Sequence, residues 1–167
     1  MKILLKIKWA TFRLIFAFFA IIAILSWGLT GYLLGPLYSW YFFNDFNFPK
    51  YYKYLHPIIY AYLRFVSRCI HNSEYRKMFS VSFFAPPRMS PVMDNLRIHK
   101  TWTGPIENCD GCINCCIKIK CPLLDTKNRN CLSYGSFYWR HFNCGRYPVN
   151  KCQIEYYECP KWEFIEK

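Results

Sequence analysis

The chain has 167 residues, room for one modest domain plus a membrane segment, which excludes a multidomain enzyme. It is 53% hydrophobic, 21% aromatic and carries a formal charge of +12 with 10 cysteines. A soluble domain is also about half apolar, so the placement of these residues carries more information than their totals.

The cations are distributed unevenly. Lys2, Lys6, Lys8 and Arg13 precede any acid, residues 46–104 set nine cations against Glu74 and Asp94, and residues 105–167 are close to balanced. Basic flanks around an apolar run suit anionic lipid headgroups. Nucleic acid, the other partner of basic chains, ranks below the bilayer because the basic middle directly follows the apolar run.

From Leu14 to Asn44 no residue is charged. About 20 apolar residues span a bilayer as a helix, so the sequence predicts a transmembrane helix from Leu14 to about Leu34. Trp27, Tyr32, Tyr38, Trp40 and Tyr41 supply interfacial aromatics, and Gly35-Pro36 a stop or kink. A cleaved signal peptide would need a cut after Ser26 or Gly28. The apolar stretch runs on past that point and Trp27 lies inside it, so the helix is read as a retained anchor.

In residues 54–70, Leu55, Ile58, Ile59, Tyr62, Phe65, Val66, Cys69 and Ile70 recur at helical spacing, with Arg64, Ser67 and Arg68 opposite. Pro57 fits the first turn. Such a helix either lies in the membrane interface or packs on the C-terminal part. Ser82–Asn95, with Pro86, Pro87 and Pro91, reads as an extended connection. The expected organisation is thus a basic flank and transmembrane helix over 1–44, an amphipathic helix and Pro-rich linker over 45–100, and a cysteine-rich module over 101–167. The module is expected to be loops with one or two short helices. No internal repeat, Gly-rich phosphate loop or Ser/His/Asp order is present.

Nine of the ten cysteines fall between Cys109 and Cys159. Cys109, Cys112, Cys115, Cys116 and Cys121-Pro122 form C-x2-C-x2-C-C-x4-C-P. A C-x-x-C turn sets two thiolates on one side of a tight loop. Overlapping turns, with Gly111 supplying backbone freedom, point three sulfurs inward, as when a loop wraps an iron–sulfur cluster. The candidate ligands are Cys109, Cys112, Cys115, Cys116, Cys121, Cys131 and Cys144. Spacing favours metal over disulfides, and adjacent Cys115 and Cys116 do not readily bridge. Cys152 and Cys159 remain candidates for a bridge. Bacterial ferredoxins run C-x2-C-x2-C-x3-C-P, which the longer spacing before Cys121 does not match. A thiol-only site also suits zinc. His141, Arg140 and Arg146 are near the cysteines in sequence, whereas His56, His71 and His99 are scattered. Tyr134, Trp139 and Tyr147 are expected to shield the site.

Residues 109–148 resemble the CxxCxxCC family of zinc- or iron-chelating proteins, related to the flagellin lysine-N-methylase group. The resemblance rests on Cys109, Cys112, Cys115 and Cys116, then Cys121-Pro122-Leu123, Cys131-Leu132-Ser133-Tyr134, Arg140, and Cys144-Gly145-Arg146-Tyr147-Pro148. The loop from Cys116 to Cys121 is shorter than in many such proteins, and the final arginine is displaced by one position. The resemblance implies a cysteine-ligated iron–sulfur or zinc centre.

The expected fold is therefore a small α-rich and irregular, metal-stabilised cysteine-rich domain behind an N-terminal transmembrane helix. The expected role is a membrane-anchored iron–sulfur protein in electron transfer, or one serving a membrane redox complex or other protein partner. The alternative is a structural or interaction module folded by zinc or disulfides. An enzyme acting on protein side chains, by analogy with the methylases, has no recognisable pocket in the sequence.

The expected location is the bacterial cytoplasmic (inner) membrane. A single pass with the basic N-terminus inside would put the thiols outside, where disulfides form. A hairpin turning near Gly35-Pro36, or a helix lying in one leaflet, would not. The side of the module stays open.

Overall fold

The computed structural model describes residues 2–78, 84–86, 96–104, 112–142 and 150–165. Cys109, Gly111, Cys144, Arg146, Tyr147, Pro148 and most of the Pro-rich connection lie outside the described residues.

The fold is helix-rich and begins with one long apolar helix, α1 (Lys2–Leu25). Within it, Ile3–Leu25 has a mean hydropathy of 1.9 and is long and apolar enough to cross a membrane, with 6% of its most apolar window buried. The helix starts earlier and stops sooner than the apolar run suggests. Its end is a Schellman turn, in which Gly28 N–H donates to Ala23 O at 2.8 Å and Trp27 N–H to Ile24 O at 3.1 Å. Trp27 and Gly28 both take left-handed φ, 52° and 88°. For glycine this is ordinary, whereas for a bulky tryptophan it is uncommon.

The chain then reverses. Helices α2 (Leu29–Leu33) and α3 (Gly35–Phe43) return beside α1. The rings of Phe16 and Tyr41 stack with centroids 5.7 Å apart, where one continuous helix would hold them about 37 Å apart. The hairpin therefore turns at Ser26–Gly28. Gly35-Pro36 does not turn it and instead opens α3, with proline in the first helical turn. Tyr41 stacks inside the hairpin and does not form part of an interfacial belt.

After α4 (Phe48–Tyr51) and a 3₁₀ turn (Tyr52–Tyr54) comes α5 (Leu55–His71). Leu55 and Ile58 are buried, while Val66 and Ile70, expected on the same apolar face, are exposed. Of the two alternatives open for this helix, packing on the C-terminal part is the one observed. Tyr62 Oη donates to Tyr138 Oη at 3.3 Å. The Arg64 guanidinium donates to the carbonyls of Ile119 and Lys120, both at 3.0 Å. Helix α6 (Ser73–Met78) follows.

Among the described residues the C-terminal part holds three short helices, α7 (Asn114–Lys118), α8 (Phe137–His141) and α9 (Lys151–Tyr157). It also holds two antiparallel pairs among the described residues. Strand β1 (Leu96–Ile98) pairs with β4 (Trp162–Phe164), and β2 (Leu124–Asp125) with β3 (Asn130–Cys131). Ser136 caps α8 by accepting from Trp139 N–H at 3.1 Å, and its hydroxyl lies 2.7 Å from that of Ser133, both fully buried.

One core joins all three expected regions. Phe42 and Phe43 of the hairpin, Ile58 of α5 and Leu123 of the C-terminal part are buried together, with Phe16, Tyr62, Cys121 and Tyr138 packed around them. A smaller cluster of Leu96, Ile154 and Trp162 seats α9 on β1 and β4.

The Arg64 fork joins the helical and cysteine-rich halves, so its loss is measurable. Charge-assisted hydrogen bonds contribute about 1.5–3 kcal/mol. Arg64→Ala should destabilise by about 2 kcal/mol and lower the midpoint of thermal unfolding by roughly 4–8 °C. Both bonds come from the single nitrogen Nη2, so Arg64→Lys should restore part of this, as far as its shorter side chain brings the ammonium to the two carbonyls.

Candidate metal centre

The thiols are placed by two tight turns. Helix α7 carries Cys115 and Cys116 and ends where Lys120 takes a φ of 53°. Cys121 N–H then donates to Cys116 O at 2.9 Å, which folds Cys121 back under the helix. Arg64 holds the two carbonyls of this same turn, and Lys118 pairs with Glu158, the residue that ends α9.

The second turn begins at Asp125. Its carboxylate accepts from the backbone N–H groups of Lys127 and Asn128 and from the Asn128 side chain at 2.7 Å. These bonds hold its pKa below the usual carboxylate range. The turn returns the chain so that Cys131 lies opposite Leu124, and Leu132 N–H donates to Leu123 O at 2.9 Å.

The result brings Cys116 and Cys121 side by side, with Cys131 farther off. The Cys116 and Cys121 thiols are hydrogen-bonded to each other, and Cys131 is within electrostatic range of Cys121. Sharing a hydrogen bond with Cys116, and then burial, push the Cys121 thiol far above its ordinary pKa. Burial raises Cys131, with Cys121 adding to the shift. Backbone N–H groups pull the other way. Leu123 donates to Cys121, and Ser133 and Tyr134 donate to Cys131. Such donors stabilise thiolate. Each sulfur thus sits in a backbone turn whose N–H groups favour negative charge, inside surroundings that disfavour it.

The overlapping C-x-x-C spacing brings forward Cys109, Cys112 and Cys115, which the described residues show only in part. Cys112 precedes α7 and is half-buried, Cys115 is exposed, and Cys109 and Cys144 lie outside the described residues. Among the described residues no group of three or more His, Cys, Asp or Glu side chains is close enough to hold a metal ion. A complete ligand set would draw further sulfur from the adjoining segments. Cys152 and Cys159 are unbridged; Cys152 is exposed on α9, and Cys159 packs on the smaller core cluster.

The other candidates have packing roles. His141 stacks on Phe137 at 4.0 Å and meets Phe12 at 4.6 Å, with Nδ1 2.8 Å from Phe137 O. Arg140 donates to Gly135 O at 2.9 Å. Trp139 meets Tyr134 at 4.7 Å, and Tyr134 is exposed. His56 lies 3.2 Å from Tyr32 Oη, His71 2.8 Å from Ser67 O, and His99 2.7 Å from Thr101 Oγ1. The donors at Leu123, Ser133 and Tyr134 are backbone groups, so residue type did not reveal them. The signal was positional: each lies two or three residues after a cysteine.

No family model, curated protein or solved structure matches the chain.

Thiol reactivity follows thiolate content and access. With metal-free protein at mildly alkaline pH, a disulfide reagent should modify exposed Cys115 and Cys152 in the fast phase. Cys121 should react slowest, and denaturant should abolish the difference. Equal rates for Cys121 and Cys152 in folded protein would contradict the burial of Cys121.

Proposed function

We propose that the chain is a membrane-anchored metal protein with a cysteine-ligated centre, an iron–sulfur cluster in the first reading and zinc in the second. Its ligands are drawn from Cys109, Cys112, Cys115, Cys116, Cys121, Cys131 and Cys144, of which Cys116 and Cys121 lie side by side. What supports this reading is the crowding of thiols between Cys109 and Cys131 in sequence, with Cys121 folded back under the helix that carries Cys115 and Cys116. N–H···S bonds and burial are the means by which a protein tunes such a centre. The thiol-only chemistry of the donor set fits either metal.

When bound, a cluster supplies one-electron redox chemistry. The residues of this chain would set its potential through those donors and exclude water through Leu123 and Leu132. The role is then electron transfer or service to a membrane redox complex. With zinc the same turns would serve a structural or interaction module.

The membrane placement is that of a hairpin entering the bilayer of a bacterial cytoplasmic membrane and returning to its starting side. Its support is the length and apolarity of α1 together with exposed Leu25, Trp27, Leu29 and Leu33 around the turn. Trp9 and Phe12 meet His141, and Phe12 meets Phe137. This ties the start of α1 to the cysteine-rich part. In this placement both lie on the cytoplasmic side, where clusters are assembled and thiols stay reduced.

Protein purified anaerobically in detergent should show a broad absorption band near about 400 nm with matching iron and sulfide. Cys121→Ser and Cys131→Ser should lose at least half of the metal, and Cys152→Ser should keep it. Colourless protein with stoichiometric zinc would select the second reading. Protein without either metal would overturn both.

A further inference from the structure

Helix α7, like α1, ends in a Schellman motif. Cys121 N–H donates to Cys116 O at 2.9 Å and Lys120 N–H to Ile117 O at 3.0 Å, with Ile119 as the cap and Lys120 left-handed at a φ of 53°. The motif sets the side chain three residues before the cap against the one two residues after it, a contact usually made by apolar residues. Here those positions hold Cys116 and Cys121, and their thiols are hydrogen-bonded to each other. The contact that closes this helix end is a pair of sulfurs.

A disulfide needs Cα atoms roughly 4.4–6.8 Å apart and side chains that face each other. The backbone hydrogen bond between Cys116 and Cys121 brings their main chains close, and the contact of their thiols supplies the facing. Other sulfurs nearby are placed less well for a bridge. Cys115 is exposed and adjacent to Cys116 in the chain, where a bridge is not readily made, and Cys131 is farther off.

We propose that Cys116 and Cys121 are a redox-active pair, oxidised to an intramolecular disulfide by a small-molecule disulfide such as that of glutathione and reopened by thiol. The Cys116 sulfur attacks one sulfur of the oxidant, whose S–S bond breaks to release one thiol. The Cys121 sulfur then attacks the Cys116 sulfur of this mixed disulfide and releases the second thiol. Two electrons leave the protein, and its two thiol protons end on the two released thiols. On a reducing side of the membrane such a bridge is transient, as redox-sensing bridges are. The same two sulfurs belong to the candidate ligand set, so bridge and metal exclude each other. The pairing itself stands without the metal.

The test uses the full chain in detergent, reduced and stripped of metal by a chelator, then incubated with oxidised glutathione and quenched with N-ethylmaleimide. Trypsin cuts after Lys118 and Lys120, so the bridge joins two otherwise separate peptides that mass spectrometry detects. The linked peptides should form in folded protein, persist in Cys115→Ser and be lost in Cys116→Ser. Their rate of formation should fall roughly tenfold or more in denaturant, where the turn no longer orients the thiols. In Cys121→Ser the reaction should stop with glutathione held on Cys116. Cys121 that stays alkylated while Cys115 and Cys152 carry glutathione overturns the proposal. So does a link from Cys121 to any other cysteine, or one that forms as fast in denaturant. Metal-loaded protein separates this inference from the metal reading. Resistance of Cys121 to oxidised glutathione until a chelator is added supports both. A link formed with the metal still bound supports the pair and removes its two sulfurs from the ligand set. Protein that takes up no metal yet forms the link supports the pair and loses the metal reading.

Discussion

Phe16 holds the molecule together. Its ring meets Tyr41 of the returning arm, Tyr62 of α5, and Tyr138 and Phe142 of the cysteine-rich part, all with centroids within 5.9 Å. Aromatic pairs contribute about 0.5–1.5 kcal/mol each beyond their area. One side chain in the first helix thus couples four segments far apart in sequence. That convergence requires the chain to reverse after Leu25, so the left-handed pair Trp27-Gly28 and the Phe16 cluster depend on each other. Without the reversal Tyr41 could not reach Phe16.

The thiol site inherits its position from this cluster. Leu123 is buried against Phe42 and Ile58, and Cys121 packs at the edge of the same core. Arg64, two residues beyond Tyr62, holds the turn that leads into Cys121. Cys121 therefore sits between this largely aromatic core and the turn that returns from Cys116. Local hydrogen bonds alone, such as the Asp125 turn, would set the spacing of Cys121 and Cys131 without burying them.

The membrane-facing and thiol-bearing halves are consequently one structure rather than a tether and its cargo. Trp9, Phe12 and Phe16 spend one face of α1 on the cysteine-rich part and on α5, while Leu14, Phe18, Ile21 and Leu25 remain exposed.

Much of this was readable in the residues themselves. The apolar, uncharged run announced a long N-terminal helix, because burying or spanning is the only favourable use of such a segment. The 3.6-residue period of α5 announced its helix, and the crowding of Cys109 to Cys131 announced thiol chemistry. The sequence did not show which way each face turned. Leu55 and Val66 share a predicted apolar stripe, yet only Leu55 finds a partner, since the stripe is longer than the surface that covers it. Tyr38 and Tyr41 looked like an interfacial belt because their composition is the same in a belt and in a core. The composition and periodicity of the sequence determined the helices and the supply of sulfur. The tertiary structure decided the reversal at Trp27-Gly28 and the seating of Cys121 beside Cys116 at the edge of the aromatic core, because contacts such as Phe16 with Tyr138 join residues that no local pattern relates.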